Sequence, residues 1–205
     1  MASTEIPDIV VGRLPVYLRA LSFMAAAGQE ITSSHELGEK LGISSAQIRK
    51  DLSHFGEFGK QGTGYRINHL QEQLRRILKV DHQWEVALIG VGVLGHALAR
   101  YGGFQDRGFR ITLAFDNDPA KIGEKIGDTL IQDVTLMPDV LKQHDIKVAM
   151  IAVPAEVAQA VVEVCVQSGI KAILNYAPIH LLLPPDVHVQ YTDPITHLQR
   201  MTYYL

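Results

Sequence analysis

Val86-Ala-Leu-Ile-Gly90-Val-Gly92-Val-Leu-Gly95 is the stretch that decides the fold of this 205-residue chain. Four apolar residues run into a glycine-rich turn, and a helix-favouring segment, residues 94–101, follows. An unbroken apolar run of this kind is how a parallel strand covered on both faces looks in sequence. The three glycines answer separate physical needs. Gly90 permits the tight turn, Gly92 lets the backbone approach a pyrophosphate, and Gly95 lets the helix pack closely on the strand. The N-terminus of that helix then offers free N–H groups and the positive end of its dipole to the phosphates. Val91, Val93 and Leu94 complete the loop. Asp116 ends the next strand candidate, 21 residues after Gly95. There a carboxylate can accept hydrogen bonds from the adenosine ribose hydroxyls, although it could also cap a helix in Asp116-Asn-Asp-Pro119. With Asp118 beside it and no Arg in that stretch, a 2′-phosphate is repelled. NADH or NAD+ is therefore the expected cofactor, and Lys121 joins its candidate site.

Working outward toward the C-terminus, strands and helices alternate. Further strands are expected over residues 109–116, 147–153, 171–176 and 187–191, with helices over 134–144 and 155–168. That is the doubly wound α/β layout of a Rossmann domain, placed at residues 84–191. Ligands on such sheets lie outside the carboxyl ends of the strands. Val153, Pro154, Asn175, Ala177 and Pro178 all follow strands and are expected to flank the nicotinamide, although each alone also suits an ordinary strand–helix turn. Residues 193–205 open with Asp193 at an N-cap and Pro194 at the first helical position. Ile195, Leu198, Met201 and Leu205 share one face of that helix, which is too short to stand alone and must pack on something.

Toward the N-terminus the pattern is helical. Residues 7–28 place Leu14, Leu18, Leu21 and Ala25 at helical spacing. Ser33 with Glu36 and Ser44 with Gln47 have capping-box spacing and start two short helices around Gly42. Two short helices about a tight glycine turn form a helix-turn-helix. Ile48, Leu52 and Phe55 fall on one inward face of the second. Ser45, Ala46, Gln47, Arg49, Lys50, Ser53 and His54 then flank or occupy the outward face as candidate contacts to phosphates and base edges, against the alternative of a merely solvated face. Residues 58–67 hold three glycines between β-favouring residues and are expected to form a hairpin wing with Lys60 and Gln61 at its tip. Asn68 is the expected cap of a fourth helix with Leu70, Leu74, Ile77 and Leu78 inward. Residues 1–80 thus make a winged helix-turn-helix domain, and residues 80–83 the connection.

Charge supports that division. Net charge is −3 overall, yet residues 44–80 hold seven Lys or Arg against three Asp or Glu, and residues 82–205 hold nine against 13. A basic excess confined to one region is an electrostatic footprint for nucleic acid. No apolar run reaches the roughly 18 residues of a membrane span. The first eight residues lack the basic start of a secretory signal. The single Cys165 suits a reducing cytoplasm, and on an apolar helix face it is expected to be inert packing rather than a redox thiol. No metal site is expected.

The chain resembles the Rex family of bacterial redox-sensing transcriptional repressors. The resemblance runs from Arg13 to Leu205. It is carried by Arg13-Leu-Pro-Val-Tyr-Leu-Arg19, Gln47-Ile-Arg-Lys-Asp-Leu-Ser53, Phe55-Gly-Glu-Phe-Gly-Lys-Gln-Gly-Thr-Gly-Tyr65, the glycine motif through Tyr101-Gly-Gly-Phe104, and Leu174-Asn-Tyr-Ala-Pro178. It implies a homodimer that binds palindromic operator DNA when NADH is low and is released by NADH. It further implies that the C-terminal helix swaps onto the partner subunit, that Tyr101 senses the nicotinamide, and that Arg19 and the partner's Asp193 form a state-dependent ion pair. Gln61 stands where the family often has Arg, and Pro194 where an aromatic residue can sit.

Two other readings compete with this one. An NAD-dependent oxidoreductase with an extra N-terminal domain would need a substrate domain, for which only a short tail remains after Tyr191, and none of the nine His stands in a catalytic arrangement. A winged-helix regulator of CoA or another nucleotide would have less use for Asp116.

Overall fold

The computed structural model describes residues 6–59 and 63–205. The chain forms two compact units, Met1–His82 and Gln83–Leu205.

The first unit is built on α1 (Asp8–Ala26), β1 (Ile31–Thr32), α2 (Ser34–Leu41), α3 (Ser45–Ser53), β2 (Tyr65–Arg66) and α4 (Ile67–Ile77). Both expected N-caps form. Ser33 Oγ accepts from the Glu36 N–H at 3.1 Å and Ser44 Oγ from the Gln47 N–H at 3.2 Å. Gly42 closes α2 in the left-handed region, at φ 67°, so the turn to α3 costs little there. Leu14, Tyr17, Leu21, Leu37, Ile48, Leu52, Ile67, Leu70 and Leu74 make the core. α1 is long and apolar enough to cross a membrane by length and composition, which the sequence reading had not anticipated. One face of it supplies Leu14, Tyr17, Leu21 and Met24 to the core, so it is accounted for as a core helix.

Two expectations change here. Tyr65–Arg66 pairs antiparallel with Ile31–Thr32, not with residues 58–59, which form no strand. β1 lies so close that a Cβ on Gly64 would meet Thr32 O at 2.3 Å. Lys60 and Gln61, at the expected wing tip, lie outside the described residues. Asn68 is not a cap. α4 starts two residues earlier, after Arg66, because Ile67 N–H continues the strand pairing by donating to Glu30 O at 2.9 Å.

The second unit holds β3 (Trp84–Ile89), α5 (Val93–Arg100), β4 (Phe109–Asp116), β5 (Lys125–Ile126), β6 (Thr129–Asp133), α6 (Met137–Gln143), β7 (Val148–Ile151), α7 (Ala155–Gln167), β8 (Ala172–Asn175), β9 (His188–Tyr191) and α8 (Pro194–Thr202), with 3-10 turns at Gly102–Arg107 and Val134–Leu136. The sheet order is β5-β6-β4-β3-β7-β8-β9, and every pair is parallel except β5–β6. Leaving out β5, the six parallel strands run 3-2-1-4-5-6, the Rossmann order, with its switch point between β3 and β7. β5 and β6 were not anticipated, and no helix covers the link from β4 to β6 or from β8 to β9. The main core joins Ile89, Phe115, Leu141, Ile151, Val162 and Ile173 across β3, β4, α6, β7, α7 and β8. Cys165 belongs to this core, fully buried with its Sγ 3.9 Å from Met137 Sδ; burial pushes its thiol up to about 12.

Candidate functional sites

The glycine loop sits at the carboxyl end of β3, at the switch point. Gly90 has φ 92°, and a Cβ on it would meet Ala152 O at 2.6 Å and Val153 Cγ1 at 2.8 Å. A Cβ on Gly95 would meet Gly90 O at 2.1 Å. The chain's own packing therefore demands glycine at both. Gly92 differs: a Cβ there meets nothing within 4 Å. Open space lies above Gly92, next to an α5 N-terminus with no side-chain cap, an arrangement able to take an anionic group such as a pyrophosphate. Val91 turns its side chain into a small core with Ala114, Ile126 and Ile131. Val93 and Leu94 are exposed on the first turn of α5.

Asp116 ends β4 beside this loop and is 7% exposed. Its Oδ2 accepts from the Val91 N–H at 2.7 Å and its Oδ1 from the Asp118 N–H at 2.9 Å. Lys121 Nζ stands 3.4 Å from both Asp116 and Asp118. Burial alone would raise the Asp116 pKa. The two backbone N–H groups and Lys121 outweigh it and hold the carboxyl below its usual range. Asp116 is thus an ionised clasp on the glycine loop rather than a helix cap. Each oxygen accepts one backbone N–H and shares the more distant Lys121 ammonium, at 3.4 and 3.5 Å, so a ribose hydroxyl would bind there by sharing or displacing that ammonium. Two carboxylates against one ammonium leave the trio net negative, which disfavours a 2′-phosphate.

Val153 and Pro154 follow β7, Asn175 ends β8, the strand hydrogen-bonded to β7, and Ala177 and Pro178 follow it. They share the carboxyl edge with Gly90. Asn175 is 1% exposed and its side chain is occupied: Nδ2 donates to Ala177 O at 3.0 Å and Ile179 O at 3.1 Å, and Oδ1 accepts from the Ala177 N–H at 3.0 Å. It shapes the loop that presents Ala177 and Pro178. Tyr101 is not brought to the cradle of its own chain. It caps the far end of α5, eight residues and about 12 Å from the loop. There it is half exposed, stacked edge-on against Phe104 at 5.2 Å, and borders a cavity of about 650 Å³ beside the N-terminal halves of β3 and β4. Asp193 caps α8 by accepting from the Ile195 N–H at 2.9 Å. No residue of α8 is buried.

In the first unit, α3 presents Ala46, Arg49, Lys50, Ser53 and His54 to solvent, with Ser45 and Gln47 half-buried at its start. Ile48 and Leu52 point inward as expected, and a third inward residue does too. Asp51 is fully buried. It accepts from Arg13 Nε at 2.5 Å and Nη2 at 2.7 Å, Tyr17 Oη at 2.6 Å and Gln47 Nε2 at 2.6 Å. Burial pushes its carboxyl up, and the hydrogen bonds from Arg13, Tyr17 and Gln47 outweigh it, so the group stays below the usual carboxylate range. The hydrogen bond to Asp51 raises Arg13 in turn. This network pins α3 to α1, and sequence reasoning assigned it no role. The available signal was the i, i+4 spacing of Arg13 with Tyr17 and of Gln47 with Asp51, polar pairs set on apolar helix faces. Arg49 Nη1 donates to Ser34 Oγ at 3.0 Å, and Arg19 lies exposed on α1 beside a hollow of about 280 Å³ with Phe23 and Lys40. Among the described residues, no group of three or more His, Cys, Asp or Glu is placed to hold a metal ion.

Known proteins match along the whole chain. A family model described as a putative DNA-binding protein N-terminus matches residues 5–53, and one described as a CoA binding domain matches residues 81–179. The redox-sensing transcriptional repressor Rex of Chloroflexus aurantiacus is 53% identical over 199 residues, 97% of this chain and 94% of the relative. That of Brevibacillus brevis is 42% identical over 98% and 97%. The crystal structure of RSP in complex with β-NAD+ and operator DNA superposes with a TM-score of 0.93 at 36% identity, covering 98% of this chain and 93% of that one. RSP in complex with β-NADH gives 0.89 at 34% identity, covering 98% and 95%. With half its residues shared with named repressors along nearly its full length, the chain belongs to the Rex family of redox-sensing transcriptional repressors.

Proposed function

We propose that this protein is a dimeric repressor that holds palindromic operator DNA while NADH is scarce and lets go when NADH rises. It is a regulator and not a dehydrogenase. The observation that carries the cofactor half is Gly92. Its neighbours Gly90 and Gly95 are explained by packing, whereas Gly92 has open space above it in the strand–turn–helix position where a dinucleotide would lie on the loop. Gly90, Val91, Gly92, Val93, Leu94 and Gly95 form the pyrophosphate cradle, Asp116 with Lys121 takes the adenosine ribose, and the loops carrying Val153, Pro154, Asn175, Ala177 and Pro178 border the nicotinamide. The nucleotide undergoes no reaction; it supplies a change of charge, since NAD+ carries a positive ring and NADH a neutral one. Largely apolar surroundings disfavour the cation.

The DNA half rests on α3. Ala46, Arg49, Lys50, Ser53 and His54 face outward along one side of a capped second helix, with Ser45 and Gln47 half-buried at its start, the part of a helix-turn-helix that enters the major groove. A dimer reads two half-sites about 34–36 Å apart, so a ligand that alters their spacing loses one of them. The exposed apolar face of α8, with Ile195, Leu198 and Met201 each more than half exposed, fits a helix that crosses to the partner subunit. Arg19, Tyr101 and Asp193 are the proposed coupling set between the two sites. The cytoplasm, where chromosomal operators and the NAD(H) pool meet, is the place of work.

A gel shift on a palindromic promoter fragment tests the reading, with the NADH/NAD+ ratio varied at constant total nucleotide. Operator release as the NADH fraction rises is expected. Operator binding indifferent to that ratio would overturn it, and release by CoA instead would replace the ligand.

A further inference from the structure

Asp51 fixes which end of Gln47 faces outward. The carboxylate is fully buried and ionised, and it can only accept hydrogen bonds. The atom of Gln47 that approaches it to 2.6 Å is therefore the amide nitrogen; an oxygen there would set lone pair against lone pair. Arg13 and Tyr17 hold the carboxylate from the other side, so it cannot turn away. Gln47 Oε1 is left accessible, with no hydrogen-bond partner among the described residues. The backbone adds rigidity, since the Gln47 N–H is spent on the Ser44 cap. Gln47 thus stands in the first turn of α3, next to the exposed methyl of Ala46, as a glutamine held by its nitrogen.

We propose that Gln47 is a specificity-determining residue that reads an exocyclic amine, adenine N6 or cytosine N4, through Oε1 alone, and that Asp51 enforces this orientation as a positioning residue. The inference rests on α3 being the DNA-reading helix. A free glutamine pairs with adenine through two bonds, donating to N7 and accepting from N6. A glutamine whose nitrogen is anchored in the protein presents the acceptor only.

The test selects preferred duplexes from a randomised palindromic library with the full-length wild-type protein and with Gln47→Ala and Gln47→Met. At one position in each half-site both variants are expected to lose about tenfold of the wild-type preference, as befits a single base contact. On wild-type protein, purine in place of adenine or 2-pyrimidinone in place of cytosine at that position removes the amine and produces a similar loss. 7-Deazaadenine, which lacks only N7, is expected to bind unchanged. Equal loss with 7-deazaadenine overturns the one-atom reading, and unchanged base preference in both variants removes Gln47 from recognition. The analogue arms use wild-type protein throughout, so a variant that fails to fold leaves the test standing. Absence of any preferred sequence for the wild type overturns the assignment of α3 itself, which the other outcomes leave intact.

Discussion

Each unit buries one ionised carboxylate beside its working helix, and the two are held in different ways. Asp51 is bound by side chains from another helix, Arg13 and Tyr17 of α1, and by Gln47 of its own. Asp116 is bound mainly by backbone N–H groups, of Val91 and Asp118. A side-chain network ties two helices together and can be dismantled one partner at a time. A backbone clasp shapes a loop, and apart from Lys121 it holds Asp116 by groups that a side-chain substitution leaves in place. The first arrangement therefore carries tertiary stability, the second local form.

The sharpest way to break this contrast is Asp51→Ala. It leaves a guanidinium and a phenol facing an empty site, and losing one partner of a buried pair costs about 3–5 kcal/mol. Urea unfolding should show the first unit losing most of its stability. NADH binding, followed by nucleotide fluorescence, should persist in the second unit. Survival of DNA binding at wild-type strength would mean that the network is ornamental.

The glycine loop gives the next largest effect. Gly95→Ala drives a Cβ into Gly90 O and should cost about 1–3 kcal/mol, with the cradle deformed. Gly92→Ala touches nothing and should stay within about 0.5 kcal/mol of wild type, while NADH affinity falls at least tenfold in calorimetric titration. Parallel losses in both variants would erase the distinction between packing and ligand glycines.

Asp116→Asn should sit lower. It preserves one acceptor and leaves one backbone N–H poorly matched, about 1–2 kcal/mol, again with weakened NADH binding. The pH dependence follows from the same groups. Both carboxyls have folded pKa values below the ordinary Asp value of about 3.9. Their stabilisation is fully present above that value and disappears as pH falls through the folded pKa. Urea midpoints should therefore be flat in these groups above about pH 5 and drop on acidification below 4, less steeply in Asp51→Asn. The smallest effect expected is Cys165→Ala. The buried thiol should resist iodoacetamide in folded protein, and its removal should cost about 1 kcal/mol without altering NADH-driven operator release in the gel shift.

Much of this architecture was legible in sequence because it is local. The two serine caps, Gly42 and the loop from Gly90 to Gly95 depend on neighbours a few residues away, and all of them formed. The capping boxes were only half right. Glu36 spends its carboxylate on Gln29 and Thr32, and Gln47 its amide on Asp51, since side chains four to seven residues away outbid the N-cap backbone N–H. β6 was missed because Thr129-Leu-Ile-Gln-Asp133 is short and polar at its ends, and only pairing with β4 makes it a strand. The partner of β2 lay 34 residues upstream, where no local pattern could announce it. Asn175 was expected beside the ligand, and what the sequence did not show is that its side chain is bonded within its own loop, which depends on where three backbone groups end up.

The clasp of Asp116 on Val91 has a consequence for sensing. The clasp is made wholly within the chain, and on the proposed reading the cradle faces the diphosphate and adenosine that oxidised and reduced nucleotide have in common. It can supply grip and no discrimination. On that reading the power to tell an electron-rich pool from an electron-poor one resides at the other end of the guest, so engineering the cradle should shift the protein's appetite for total nucleotide while its redox set point stays with the loops beyond β7 and β8.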